Sequence, residues 1–125
     1  MHKDNEKLRF LIVEDEALIA MLIEDILTDL GYEVAAVASR LRDACEHARS
    51  AEFDFAILDV NLDGKPSYPV AEILDERGVP FAFATGYGAL GLDGKFSKIP
   101  TLAKPFVGDD VEKLISAMTS PARRQ

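Results

Sequence analysis

Short, continuous apolar runs alternate with stretches of helical periodicity along nearly the whole chain. A strand that is apolar on both faces must be covered on both faces. Continuous runs therefore select a parallel sheet between two helical layers over a half-solvated antiparallel one. The first run, Arg9-Phe10-Leu11-Ile12-Val13, stops at Glu14-Asp15-Glu16. Residues 16–30 then set Ile19, Leu22, Ile23, Ile26 and Leu30 at helical spacing, and Gly31 ends the helix. A second strand is expected over residues 33–37. Ser39 is placed to cap a helix striped by Leu41, Ala44, Cys45 and Ala48.

The third run, residues 55–58, leads into Asp59. A loop holding Asn61, Asp63, Gly64, Pro66 and Pro69 precedes a helix through Val70, Ile73 and Leu74, stopped by Gly78 and Pro80. Residues 81–84 form a fourth strand ending at Thr85. Residues 86–98 are irregular, with glycines at 86, 88, 91 and 94. A short fifth strand over residues 101–103 runs into Lys104-Pro105. The last helix is predicted to turn Val107, Val111, Leu114, Ile115 and Met118 inward, with Asp109 and Asp110 at its positive end. Five strand–helix units without an internal repeat give an α/β fold: an open five-stranded parallel sheet with helices on both faces.

Composition narrows the function classes. With 22 acidic and 14 basic side chains the chain carries a formal charge of −8, which argues against direct nucleic-acid binding through a basic face. One cysteine makes no internal disulfide and no metal-ligand cluster. No apolar run approaches the roughly 20 residues of a membrane span. The polar first residues do not resemble a secretory signal, so a cytoplasmic protein is expected. The length suits a single domain over 1–125, with an ordered core at about 8–119.

In open α/β sheets, ligands bind beyond the carboxyl ends of the strands. At those ends this chain places Glu14 and Asp15, then Asp59, then Thr85, then Lys104. The second strand ends in Ala38 and offers no such group, which suits an edge. Converging carboxylates repel by about 4 kcal/mol at about 4 Å and an effective dielectric of 20, so the cluster needs a cation or retained protons. Oxygen donors in small number point to hydrated Mg²⁺, with coordination left for phosphate oxygens. Lys104 can then neutralise a phosphoryl oxygen and Thr85 can hydrogen-bond another. Asp59, alone at the end of the central strand, is the candidate nucleophile, since a carboxylate can form an acyl phosphate.

These residues, as Val13-Glu14-Asp15, Leu58-Asp59, Ala84-Thr85-Gly86 and Lys104-Pro105-Phe106, resemble the receiver domain of two-component response regulators, and they span almost the whole chain in the family's order. The resemblance implies the flavodoxin-like strand order 2-1-3-4-5. It implies phosphorylation of Asp59 by a sensor histidine kinase or histidine phosphotransfer protein, and output through contact with another protein. It further implies Mg²⁺ ligated by Asp15, Asp59 and the backbone carbonyl of Asn61, with Glu14 acting through water. Receivers are signalling modules that catalyse only their own phosphorylation and slow dephosphorylation, and they act as monomers or phosphorylation-dependent dimers. Phe83-Ala84-Thr85-Gly86-Tyr87 is also similar to the "FAT GUY" subgroup, many of which stand alone.

Two departures stand out. Thr101 occupies the position where receivers usually carry an aromatic switch residue, three before the lysine. Only 18 residues separate Thr85 from Lys104, so the fourth helix is expected to be short or irregular. Other motifs have plainer readings. Gly86-Tyr87-Gly88-Ala89-Leu90-Gly91 matches G-x-G-x-x-G but is broken at once by Asp93-Gly94, and Gly94-Lys95-Phe96 lacks the hydroxyl of a P-loop. Glu16 reads as a helix-start acid, Cys45 as a small core residue, and the acids at 24, 25, 29, 72, 75 and 76 as solvated helix faces. His2 and His47 lack the surroundings of a phosphodonor.

Three alternatives stay open from sequence. The chain is a phosphate sink, or a receiver cut from a hybrid kinase, against which Met1 and the short tail argue mildly. The third is a nucleotide- or flavin-binding module of the same fold, which would carry a bound cofactor.

Overall fold

The structure is a computed structural model and describes residues 8–62, 64–85, 99, 101–103 and 107–119. In chain order the elements are β1 (Arg9–Val13), α1 (Ala17–Asp29), β2 (Glu33–Ala38), α2 (Leu41–Ser50), β3 (Phe55–Asp59), β4 (Asn61–Leu62), β5 (Lys65–Pro66), α3 (Tyr68–Arg77), β6 (Phe81–Thr85), β7 (Thr101–Ala103) and α4 (Gly108–Thr119). The main sheet runs β2-β1-β3-β6-β7 and all its pairings are parallel. This is the expected order 2-1-3-4-5 once the small antiparallel β4–β5 pair is set aside. β2, the strand whose end carries no functional group, lies at the edge.

Strand alternation divides the core in two. Leu11, Val13, Ala56, Leu58, Phe81 and Phe83 face Ala44 and Ala48 of α2 and Val70, Ala71 and Leu74 of α3. Phe10, Ile12, Phe55, Ile57, Ala82, Ala84 and Leu102 face Ile23 and Leu27 of α1 and Val111 and Ile115 of α4. Every one of these side chains is buried, which is why the strands read as unbroken apolar runs. Aromatic edges tighten the first face, with Phe83 meeting the rings of Tyr68 and Phe81 at 6.1 and 5.8 Å.

Several local expectations are corrected. On α1 the buried stripe is Ala20, Ile23 and Leu27, while Leu22 is 47% exposed. Ser39 does not cap α2: Arg40 is the N-cap residue, in extended conformation and without a side-chain cap bond. Val107 is 63% exposed, because it precedes the first residue of α4 and so lies off its inward stripe. Its backbone N–H donates to the Asp110 carboxylate at 3.0 Å, which closes the first turn of that helix. Gly31 and Gly78 do end α1 and α3, at φ 94° and 74°, a left-handed conformation that other residues adopt only with strain. The expected irregular helix within residues 86–98 lies outside the described residues, and the side chain of Met118, expected to turn inward, is not among the side chains described.

Candidate functional site

The site forms where β1 and β3, neighbours at the centre of the sheet, end together. Beyond β1, the backbone N–H of Glu14 still donates to Ala38 O of β2 at 3.0 Å, so the first acid is held by an extension of the strand ladder. Its side chain is 1% exposed, and its Oε2 accepts the N–H of Glu16 at 3.2 Å, at the entrance to α1. Asp15 follows, half-buried. Asp59 ends β3, opposite Ala84 of β6, and is also half-buried.

Glu14, Asp15 and Asp59 thus converge: one carboxylate oxygen from each lies within 4.8 Å of the other two. Three anions at this separation, one of them buried, make an electrostatically costly group and a ready-made set of hard oxygen donors. Among the described residues the group consists of carboxylates alone, hard donors that suit Mg²⁺ better than zinc or copper.

Thr85 is brought to the same end of the sheet. It follows Ala84, the residue that pairs with Asp59, and is 5% exposed. Asn61 joins through hydrogen bonds: its N–H donates to Asp59 Oδ1 at 3.3 Å, and its side-chain oxygen accepts the N–H of Gly64 at 2.8 Å. Lys104 lies outside the described residues, as do Pro105, Phe106 and Tyr87. Thr101, standing where an aromatic switch was expected, is partly buried on β7, and its hydroxyl donates to Ile99 O at 3.2 Å.

The sequence predicts a loop after Asp59. Instead, β4 and β5 pair Asn61 with Pro66 and Leu62 with Lys65 in a miniature hairpin turned at Gly64. Its two ends are tied where Ser67 N–H donates to Val60 O at 2.8 Å. The Asp63-Gly64 dipeptide was the signal available in the sequence, since that pair favours tight hairpin turns. Two-residue strands are too short to show alternation, so the signal stood alone.

Glu16 and the helix acids lie as expected, whereas Cys45, expected in the core, is only half-buried. Glu16 is exposed at the start of α1, and the acids at 24, 25, 29, 72, 75 and 76 are exposed on helices. Cys45 packs half-buried against the α2–α3 face, and burial pushes its thiol up while Arg49 opposes the shift. No helix among the described residues is long and apolar enough to cross a membrane.

The sequence matches the family model of the response regulator receiver domain over residues 10–116. The transcriptional regulatory protein PdtaR of Mycobacterium tuberculosis is 31% identical over 119 residues, covering 92% of this chain and 58% of PdtaR. The chain therefore spans little more than half the length of that relative. Among solved structures, SdrG from Sphingomonas melonis Fr1 is 42% identical with a TM-score of 0.81, covering 90% of this chain and 96% of SdrG. The structure of SdrG in its BeF3-activated conformation is also similar, at a TM-score of 0.76 and covering 90% and 97% of the two chains. The receiver domain of PhyR from Erythrobacter litoralis is 31% identical with a TM-score of 0.77, covering 92% and 95% of the two chains. A family match over most of the chain, a parallel sheet in the order seen here, and acids gathered at its carboxyl end agree: the chain belongs to the response regulator receiver domain family.

Proposed function

We propose that the chain is a phospho-aspartate switch, in which Asp59 accepts a phosphoryl group from a sensor histidine kinase or a histidine phosphotransfer protein. The observation that carries this reading is the convergence of Glu14, Asp15 and Asp59 at the end of the central strands. Their repulsion is tolerable with a divalent cation beside them and useful when a phosphate arrives. Mg²⁺ fits this donor set: the ligands are hard oxygens, few in number, and leave positions for water and phosphate. Asp15, Asp59 and the Asn61 carbonyl would hold it, with Glu14 acting through water. When bound, the cation supplies charge neutralisation for the carboxylates and the phosphoryl oxygens.

The chain's own residues then have distinct tasks. A carboxylate oxygen of Asp59 attacks phosphorus, the bond from phosphorus to the donor's imidazole nitrogen breaks, and the electron pair leaves with that nitrogen. Thr85 donates its hydroxyl to one oxygen of the transferred group, and Lys104 neutralises another. Glu14, fixed by the Glu16 N–H, keeps the cation side of the site anionic. The BeF3-activated conformation of the similar SdrG supports the reading, because beryllofluoride mimics a phosphoryl group.

The partner surface is suggested by α1, which begins directly after the acidic pair. Leu18, Met21 and Leu22 are 81, 58 and 47% exposed at helical spacing, an apolar stripe next to the site that a phosphodonor helix can cover. The protein acts in the cytoplasm, on this reading, and signals by protein contact rather than by turning over a substrate. Incubation with Mg²⁺ and acetyl phosphate should give an acid-stable, base-labile phosphoprotein. Labelling that survives in Asp59→Asn, or that proceeds equally in EDTA, would show the reading to be wrong.

A further inference from the structure

A cavity of about 800 Å³ opens beside the acidic cluster, between the turn joining β2 to α2 and the β4–β5 hairpin. Asp15 lines it, so it shares a wall with the cluster. Its other charged lining residues are Arg40, Arg42, Asp43 and Lys65, with the buried Leu62 as an apolar surface. Among the described residues, the side-chain nitrogens of Arg40, Arg42 and Lys65 make no ion pair or hydrogen bond. Asp43 stands in the first turn of α2, where the positive helix end offsets its charge. Asp15 belongs to the acidic cluster as well as to the lining. Three cations against two carboxylates leave the lining positive by one charge, in a chain whose net charge is −8.

We propose that this cavity holds a second oxyanion, a carboxylate or phosphate carried by the phosphodonor, while the donor's transferable phosphoryl group meets Asp59. The proposal rests on the reading of Asp59 as the phosphoacceptor. Two guanidinium forks and an ammonium are suited to an oxyanion, and they offset the repulsion that three carboxylates exert on an anionic donor. The hairpin that carries Lys65 is also tied to Asp59, through the Asn61 N–H and the Asn61–Gly64 bond. Binding in the cavity and occupation of Asp59 thus act on one small element.

Matched acyl phosphates test the idea in the presence of Mg²⁺. With benzoyl phosphate, an Asp59 oxygen attacks phosphorus, the phosphorus–oxygen bond to the acyl group breaks, and benzoate leaves with the electron pair. The 3-carboxy and 3-phosphono derivatives react in the same way but carry a second oxyanion. At low salt the intact protein should label about threefold faster or more with a derivative than with benzoyl phosphate, and whichever derivative gives the larger ratio identifies the preferred anion. In the Arg40→Gln/Arg42→Gln variant, and with added salt, the ratio should fall toward that of the uncatalysed reagents. Each protein serves as its own reference, so a change in overall activity does not enter. An equal ratio in parent and variant overturns the cavity proposal while leaving Asp59 standing. Failure of all three reagents to label overturns the reading of Asp59 and the cavity proposal with it.

Discussion

Replacing Asp59 by asparagine should make the metal-free protein more stable and the Mg²⁺-containing one relatively less so. Asp59 faces two other carboxylates, each with an oxygen within 4.8 Å of its own. At that distance each pair repels by about 3.5 kcal/mol at an effective dielectric of 20 and by about 0.9 kcal/mol in bulk water. Asp15 and Asp59 are half-buried and side chains relax, so removal of one charge should return about 1–2 kcal/mol. Asparagine is nearly isosteric, and its amide oxygen can still accept the Asn61 N–H that Asp59 now accepts at 3.3 Å. For a chain of 125 residues the gain corresponds to a rise of about 4–8 °C in Tm in EDTA. Mg²⁺ at a hundredfold excess over its Kd should stabilise the parent by about 2.7 kcal/mol, and Asp59→Asn by much less. Thermal unfolding followed by circular dichroism in the two buffers reads both effects. An Asp59→Asn protein that melts below the parent in EDTA, or that gains as much from Mg²⁺, would refute the argument that the three carboxylates form a strained cation site.

Other consequences follow from the packing. Phe83→Ala removes a fully buried ring that touches both Tyr68 and Phe81, and should cost about 3–5 kcal/mol in urea unfolding. Gly78→Ala meets no atom within 4 Å of the new Cβ, so its cost should be that of the left-handed backbone alone, about 1–2 kcal/mol by the same measurement. Burial raises the Cys45 thiol above its ordinary value of 9.0, so the folded state favours the neutral form. The associated stability is present below the unfolded thiol's pKa and is lost as pH rises toward the folded one. Stability measured across that alkaline range should fall less steeply in Cys45→Ala than in the parent, and parallel curves would count against the shift.

The sheet was legible because its strands are buried on both faces, which leaves a continuous apolar signature that short strands seldom show otherwise. The same burial made the strand ends conspicuous: Glu14, Asp15 and Asp59 interrupt apolar runs, and polarity at such a boundary has few structural explanations. The rotation of α1 was not legible, because that helix is apolar almost all round. Leu18, Ile19, Met21, Leu22, Ile23, Ile26 and Leu27 allow more than one stripe, and only the packing against β1 and α4 selects Ile23 and Leu27. The surplus apolar side chains are what α1 then exposes beside the site. The start of α2 differs by a single position: a good capping residue at Ser39 does not oblige the helix to begin at 40, and Arg40 is the N-cap residue. The β4–β5 hairpin escaped because its strands are shorter than the period that would reveal them. That hairpin sets Lys65 in the same cavity lining as Arg40 and Arg42, a grouping that sequence spacing does not show.

The central claim is that Asp59 is the residue that carries phosphate. Borohydride reduces an aspartyl phosphate to homoserine, so the modified position can be read directly by peptide mass spectrometry after treatment with Mg²⁺ and acetyl phosphate. The account predicts homoserine at position 59 and unmodified aspartate at position 15. Homoserine at any other acidic position, or none at 59 after phosphoprotein has formed, would contradict it.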